Sequence, residues 1–436
     1  MKKSLVALAA LAATSAFAQV TLTGNMDFAN ANVAGTQLWA KGNTISQTVG
    51  VASTSVINIR AEENLGGGVK ATAHYGLDPR SLANDSFAVT NNTAIGSNNG
   101  IQTGGTSGLH TGTAVTSTAV VGGQSNTATG LARDEVFVGI EGGFGNLRLG
   151  APNSIGLNSF QVSSPLGTGI GSSYTGGGTA GTMTNSYVQT RYNRSMRWDS
   201  PVMNGFQAAI LYAPGNDIAA TTTGFTSQSA TTGQISPATP VANLIPNARK
   251  GTELGLRYAN GPLTVSWANI AQADQLNTTG WYANVAGSTA LKTSVNLLNA
   301  SYNFGATTVY AGWNSGSRLA PNSATNTAAV DTKGARVAVK HTSGAFDIMA
   351  QYSTQEAMGV TGVTTSTAVA TLGNTSSNTA VLKASVIGFR ADYNMSKTAA
   401  VYMGYEKYDT GAAYDAKAPG TTGDRTIVSV GLKKSF

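Results

Sequence analysis

Apolar residues recur at every second position along most of this chain. Val136, Val138 and Ile140 alternate with Glu135, Gly139 and Glu141, and Leu254, Leu256 and Tyr258 alternate with Glu253, Gly255 and Arg257. Phe346, Ile348, Ala350 and Tyr352 interleave with Asp347, Gln351 and Ser353; Ile387, Phe389, Ala391 and Tyr393 interleave with Gly388, Arg390 and Asp392. A period of two puts successive side chains on opposite faces of a strand. No helical stripe stands out after residue 18. Between these blocks lie short connections made of turn residues, at 64–68, 142–145, 200–205, 260–262, 303–305, 342–344 and 394–397. Long Gly-, Ser-, Thr- and Asn-rich connections lie near 34–53, 79–132, 151–189, 214–249, 273–291, 316–332, 356–382 and 410–423. Together they separate about 16 strands, an even number within the range of membrane barrels. The 11 prolines, Pro165, Pro246 and Pro321 among them, fall in these turns and loops, where a missing N–H costs no ladder bond.

One face of each strand is aliphatic or aromatic. The other is mostly Gly, Ser, Thr and Asn, with an occasional charge. A soluble sandwich would carry many more charges on its wet face. In lipid every backbone group needs an internal partner, so a spanning sheet must close on itself. The expected architecture is all-β: a transmembrane antiparallel β-barrel with short periplasmic turns and long external loops. Tyr192 and Trp198, on one face of a strand, and Tyr258, Trp267, Trp313, Tyr352, Tyr393 and Tyr402, near strand ends, suit interfacial girdles.

Composition sharpens this reading. Only 11% of the 436 residues are charged, against roughly a quarter in ordinary soluble domains. No apolar run reaches the ~20 residues of a spanning helix. Cysteine is absent, which removes disulfide and cysteine–zinc scaffolds. The net charge is +7, but the 27 basic residues are scattered without a dense cluster, so nucleic acid is not an expected partner. The N-terminus reads as an export signal over residues 1–18. Lys2 and Lys3 precede a short apolar core from Leu5 to Ala13, and Ala16-Phe17-Ala18 forms the cleavage site. Residues 19–436 would then be the barrel. At the other end Thr426, Val428, Val430, Leu432, Lys434 and Phe436 share one face, and a terminal Phe after such alternation is similar to the signal read by the outer-membrane barrel-assembly machinery.

Several blocks resemble the general porins of β-proteobacteria. Arg60-Ala61-Glu62-Glu63-Asn64-Leu65-Gly66-Gly67-Gly68-Val69-Lys70-Ala71 is similar to that family's R-G-S-E-D-L-G-G-G-L-K-A turn. Val136–Ile140 with Gly143–Leu147 is similar to its A-F-V-G-L…G-F-G-T-L hairpin. Arg194–Pro201 with Gly205-Phe206, Ser301–Gly305 and the ending Val430–Phe436 also match. The resemblance covers the mature chain outside the long loops. It implies a trimer of 16-stranded, water-filled pores in the outer membrane of a Gram-negative cell, passing small hydrophilic solutes, with the third external loop folded inward as a constriction. Val56 and Ala151 stand where the family usually has arginine, and residues 149–190 carry no charge where its loop is acidic. The usual transverse field is therefore expected to be weak.

The constriction loop would span 151–189, with Phe160, Pro165 and Tyr174 in it and Tyr187 beside it. By alternation Arg60, Lys70, Arg148, Arg191, Arg197, Arg257, Arg336, Lys340, Arg390 and Arg425 point to the lumen, against Glu62, Glu135, Glu141, Asp199, Glu253, Asp347 and Asp392. Arg60, Arg148, Arg191 and Arg197 would form a basic ladder beside the loop, giving a mild anion preference. For each basic residue, pairing with a nearby acid is the competing reading. The histidines, His74, His110 and His341, sit in no catalytic or metal motif, and no G-x-S-x-G is present, so no enzyme activity, metal or cofactor is expected. A substrate-specific channel using Phe160, Tyr174 and Tyr187, or an adhesin displaying 79–132, are the alternatives.

Overall fold

The computed structural model describes residues 19–35, 44–49, 52–53, 55–77, 134–174, 190–192, 194–214, 216–221, 242–248, 250–273, 292–322, 326–360, 380–409 and 425–436. The export segment 1–18, the whole of the loop 79–132 with His110, and the part of the expected constriction loop at 175–189 with Tyr187 lie outside the described residues.

The strands run β1 (Gln19–Gly35), β2 (Thr44–Val49), β3 (Val56–Gly66), β4 (Val69–Leu77), β5 (Val136–Gly142), β6 (Gly145–Ala151), β7 (Ser195–Asp199), β8 (Phe206–Ala213), β9 (Asn216–Thr221) and β10 (Ala242–Ala248). They continue with β11 (Lys250–Asn260), β12 (Leu263–Ala273), β13 (Lys292–Asn303), β14 (Thr307–Asn322), β15 (Asn326–Ser343), β16 (Phe346–Val360), β17 (Ala380–Ser396), β18 (Ala399–Asp409) and β19 (Arg425–Ser435). Each barrel strand pairs antiparallel with its chain neighbours, β8 skips to β11, and β1 closes on β19, giving a closed 16-stranded barrel. β9 and β10 form a separate hairpin. β2 and β3 share one place in the wall: β2 pairs with the outer half of β1 and β3 with its inner half, and the chain leaves the sheet between them.

The pattern of two survives folding. Val138 and Ile140, Leu254 and Leu256, Val337 and Val339, and Val428, Val430 and Leu432 all sit on the outer face, exposed in the isolated chain where lipid would cover them. The seam is finished by the last residue. Gly24 N–H donates to the Phe436 carbonyl at 2.9 Å, and Phe436 N–H returns a bond to Gly24 at 3.0 Å. The Phe436 ring lies where any side chain at position 24 would have to sit.

The structure corrects four local expectations. The connection near 316–332 shrinks to 323–325, because β14 and β15 pair out to Asn322 and Asn326. Pro321 therefore lies in β14, and Pro246 lies in β10 at a register shift. Tyr192 and Trp198 do not share a strand face. Arg194 has φ +57°, which breaks the extended backbone between them. Tyr402 points inward and is buried, so it belongs to no outer girdle.

Candidate functional site

The connection after β6 turns into the barrel and starts a helix, α1 (Ile155–Val162). Ser154 caps it, its hydroxyl accepting from Leu157 N–H at 2.9 Å. This two-turn helix was not legible in the sequence, since Gly156 and Ser159 are as buried as Ile155, Leu157 and Phe160 and leave no stripe. The helix covers an apolar patch inside the barrel formed by Leu211 and Ala213 of β8, Ala268 and Ile270 of β12, and Val295 and Leu297 of β13. Burying Ile155, Leu157 and Phe160 there contributes about 1.5–3 kcal/mol each. The sequence does carry a signal for this patch: the block 208–213 is apolar on both faces, and Leu297 and Leu298 put apolar side chains on both faces of β13.

From α1 the loop runs along the inner wall, gripped strand by strand. Glu253 of β11, fully buried, accepts from Gly156 N–H at 2.9 Å and from the Tyr192 hydroxyl at 2.8 Å. Asn299 of β13 accepts from Ser163 Oγ at 2.6 Å and donates to Ser159 Oγ at 2.9 Å. Arg336 of β15 donates to Ser163 Oγ at 2.8 Å, and its guanidinium lies 3.8 Å from the Phe160 ring centroid. Gln351 of β16 donates to the Ser172 carbonyl at 2.7 Å. Glu406 of β18 accepts from Gly171 N–H at 2.7 Å. At Gly388 of β17 the loop backbone comes so close that any side chain would collide with the Gly171 carbonyl.

A second segment enters where the chain leaves the wall between β2 and β3. Asp27 of β1 accepts from Ala52 N–H at 2.6 Å, Ser53 N–H at 2.7 Å and the Tyr402 hydroxyl at 2.6 Å. Arg390 of β17 donates to the Ala52 carbonyl at 2.7 Å. The hydrogen bonds of the two inward segments thus run mainly to β1 and β11–β18. The inner face of β3 to β5 keeps exposed charges: Arg60 is 48% exposed and Lys70 52%.

The expected basic ladder is largely paired. Arg148 bridges to Asp199, and Arg197 holds the same carboxylate at 2.7 Å while donating to the Asn153 carbonyl at 2.7 Å. Arg191 holds Asp134 at 2.7 Å. Arg60 holds Glu62 at 2.6 Å, Lys70 lies 3.8 Å from the same carboxylate, and Arg390 is 3.0 Å from Asp392. Glu135 accepts from Asn153 N–H at 2.7 Å at the root of the loop. Arg257 stays exposed on the inner face below Glu253. Six of the expected lumen charges are buried: Glu253 under α1, Arg390 under residue 52, Arg336 under the loop, and Arg197, Asp199 and Asp392 in their ion pairs. Phe160 and Tyr174 are likewise buried, packed on each other at 5.1 Å, because the apolar patch draws them to the wall; Pro165 is part-buried. Of the histidines, His74 faces inward, as alternation allows; its stack on Phe137, 63 residues away in the chain, had no sequence signal. His341 lies near a turn, bonded to Thr307 at 2.8 Å. Among the described residues no cluster of potential metal ligands occurs.

A closed 16-stranded membrane barrel narrowed by an inward loop defines an outer-membrane channel. The chain belongs to the Gram-negative porin family, whose model matches residues 4–413. The anion-selective porin from Comamonas acidovorans superposes with a TM-score of 0.56 at 18% identity, over 96% of this chain and 100% of that one. The trimer form of OmpT from Vibrio cholerae gives 0.55 at 12%, over 96% and 100%. Salmonella typhi OmpF, in complex with daunomycin, gives 0.57 at 13%, over 97% and 99%. No curated protein matches the chain. It is a channel for passive diffusion in the outer membrane.

Proposed function

We propose that three copies assemble into a trimer of pores that pass small hydrophilic solutes with a weak preference for anions, and that the chain has no catalytic role. One observation carries the charge preference. Asp27, Glu253 and Glu406 are each fully buried under the inward segments, where backbone N–H groups take up their charge. Arg60, Lys70 and Arg257 remain exposed on the inner face. The same segments also bury Arg336 and Arg390, and the loop itself is uncharged, so the balance rests on the exposed set: Arg60, Lys70 and Arg257 against Glu62 and Glu141 give a modest cationic excess, and such an excess favours anions. The structurally similar Comamonas porin is described as anion-selective; at 18% identity it supports the fold, and the preference here rests on these residues. The trimer rests on likeness to the Vibrio cholerae outer-membrane protein OmpT in its trimer form. Export through 1–18 and recognition of Phe436 by the barrel-assembly machinery complete this reading.

Reversal potentials across a planar bilayer with a salt gradient test it. The expected sign is that of anions crossing faster, and a double variant Arg60→Glu, Arg257→Glu moves it toward cations. A clear cation preference of the unaltered chain at low salt would reject the charge assignment. Arg197 is unsuited to this test, because a carboxylate there would be buried against Asp199.

A further inference from the structure

His74 on β4 and Phe137 on β5 occupy paired register positions on the inner wall. Their rings stack with 5.2 Å between centroids and 7° between planes. That separation is close to the ~4.8 Å between neighbouring strands. Each ring therefore stands over its own strand, the two planes face one another along the wall, and the ring edges point into the passage. Both residues are only partly buried. Beyond Phe137 the Arg148 guanidinium lies 5.5 Å from the ring centroid. Beyond His74 the paired position on β3 is Arg60. Four strands thus present a row of guanidinium, imidazole, phenyl and guanidinium, on the stretch of wall that keeps Arg60 and Lys70 exposed.

We propose that this row is a binding station for small planar aromatic carboxylates crossing the pore. The edge of an aromatic ring is electropositive and its face electronegative. Two parallel edges, held apart at a fixed spacing, form a strip on which the face of a flat aromatic solute settles edge-to-face. A carboxylate on that solute reaches Arg60. This guanidinium spends part of its five-donor fork on Glu62 at 2.6 Å, has Glu141 at the 4.0 Å limit of an ion pair, and turns its exposed remainder to the passage. Arg148, committed to Asp199, fixes the Phe137 ring from the other side and is a positioning residue. A saturated ring of the same size keeps the carboxylate contact and loses the edge-to-face contact. An aromatic cation keeps the ring contact and is repelled by Arg60.

The station rests on the reading that solutes pass this barrel, and the test separates the two. Single channels of the full chain in planar bilayers are exposed to benzoate, cyclohexanecarboxylate and benzylammonium. Benzoate is expected to interrupt the potassium chloride current at concentrations about two- to tenfold lower than cyclohexanecarboxylate, the range an edge-to-face pair supplies. Benzylammonium is expected to interrupt it more weakly than benzoate. Phe137→Leu abolishes the difference between the two carboxylates, and Arg60→Gln weakens both together. His74→Leu serves as a second test of the strip should Phe137→Leu fail to insert. Equal potency of benzoate and cyclohexanecarboxylate in the unaltered chain overturns the station, as does a difference that persists in Phe137→Leu or His74→Leu. A chain that inserts and carries no current overturns the channel reading itself.

Discussion

Glu253 is the point at which the wall holds the start of the inward loop, and replacing it isolates that hold. In Glu253→Ala the Gly156 N–H and the Tyr192 hydroxyl lose their buried acceptor. A buried donor left without a partner costs about 1–3 kcal/mol. Of the two, Gly156 N–H belongs to α1, so the attachment of the helix weakens by about 1–3 kcal/mol. A water entering the space left by the carboxylate would accept both donors and bring the loss to the lower figure. β11 itself keeps its full ladders to β8 and β12, so the barrel stays closed. Each 1.4 kcal/mol is a factor of ten in a local opening equilibrium. Hydrogen exchange of the Gly156 amide should then accelerate by roughly fivefold or more. Exchange measured by mass spectrometry on peptides covering 154–160 and 254–260 checks this: the first speeds up and the second does not. Glu253→Gln falls between, since its amide oxygen still accepts one bond while its amino group faces the other donor. Wild-type exchange at Gly156 in Glu253→Ala would show that the apolar patch alone holds the helix, and the assignment of the carboxylate as its anchor would be wrong.

Two further perturbations address the other attachments. Gly388→Val drives a side chain into the Gly171 carbonyl and breaks the Gly171–Glu406 bond. The loop tip is pushed off β17 into the passage, so single-channel conductance should fall and flicker should rise; unchanged conductance would mean the tip does not border the open path. Asp27→Ala removes the acceptor for Ala52, Ser53 and Tyr402 together. Exchange at 52–55 should accelerate by about tenfold or more while the β1–β19 seam stays protected.

What was legible in the sequence follows from what acts locally. Strand alternation is written residue by residue, because burial of one face in lipid selects every second side chain; the outer belt could be read directly. Ion pairing could not. Arg148 and Asp199 are 51 residues apart and meet only because β6 and β7 pair in one register. The ladder of free arginines was therefore overstated. α1 was missed because its buried face is set by a patch contributed by β8, β12 and β13, and because its own two turns carry neither charge nor stripe. Its position near a strand end misplaced Tyr402 in the girdle for a related reason. An inward phenol is paid for by Asp27, 375 residues away, and nothing near Tyr402 in the chain announces that partner.

The uncharged loop, which at first looks like the loss of a feature, is what the wall requires. A charge on the loop's wall-facing side would have to be desolvated against the barrel, and the effective penalty for a buried ion is several kcal/mol unless it is fully paired. Here the wall supplies the charges and the loop supplies neutral partners. Glu253 and Glu406 are met by backbone N–H groups. Arg336, with no carboxylate in salt-bridge range among the described residues, is met by the Ser163 and Ser173 hydroxyls and the face of Phe160. Each contact binds the loop by a charge–dipole or cation–π interaction, and each removes one wall charge from the passage. Docking the loop and setting the field of the pore are thus a single event. The side chains that remain to steer solutes are those the loop leaves bare, chiefly Arg60, Lys70, Glu62 and Glu141 on β3, β4 and β5 near their periplasmic turns, with Arg257 on β11. A mixed set of this kind gives a weak preference, because its charges are exposed and screened over about 8 Å at physiological salt.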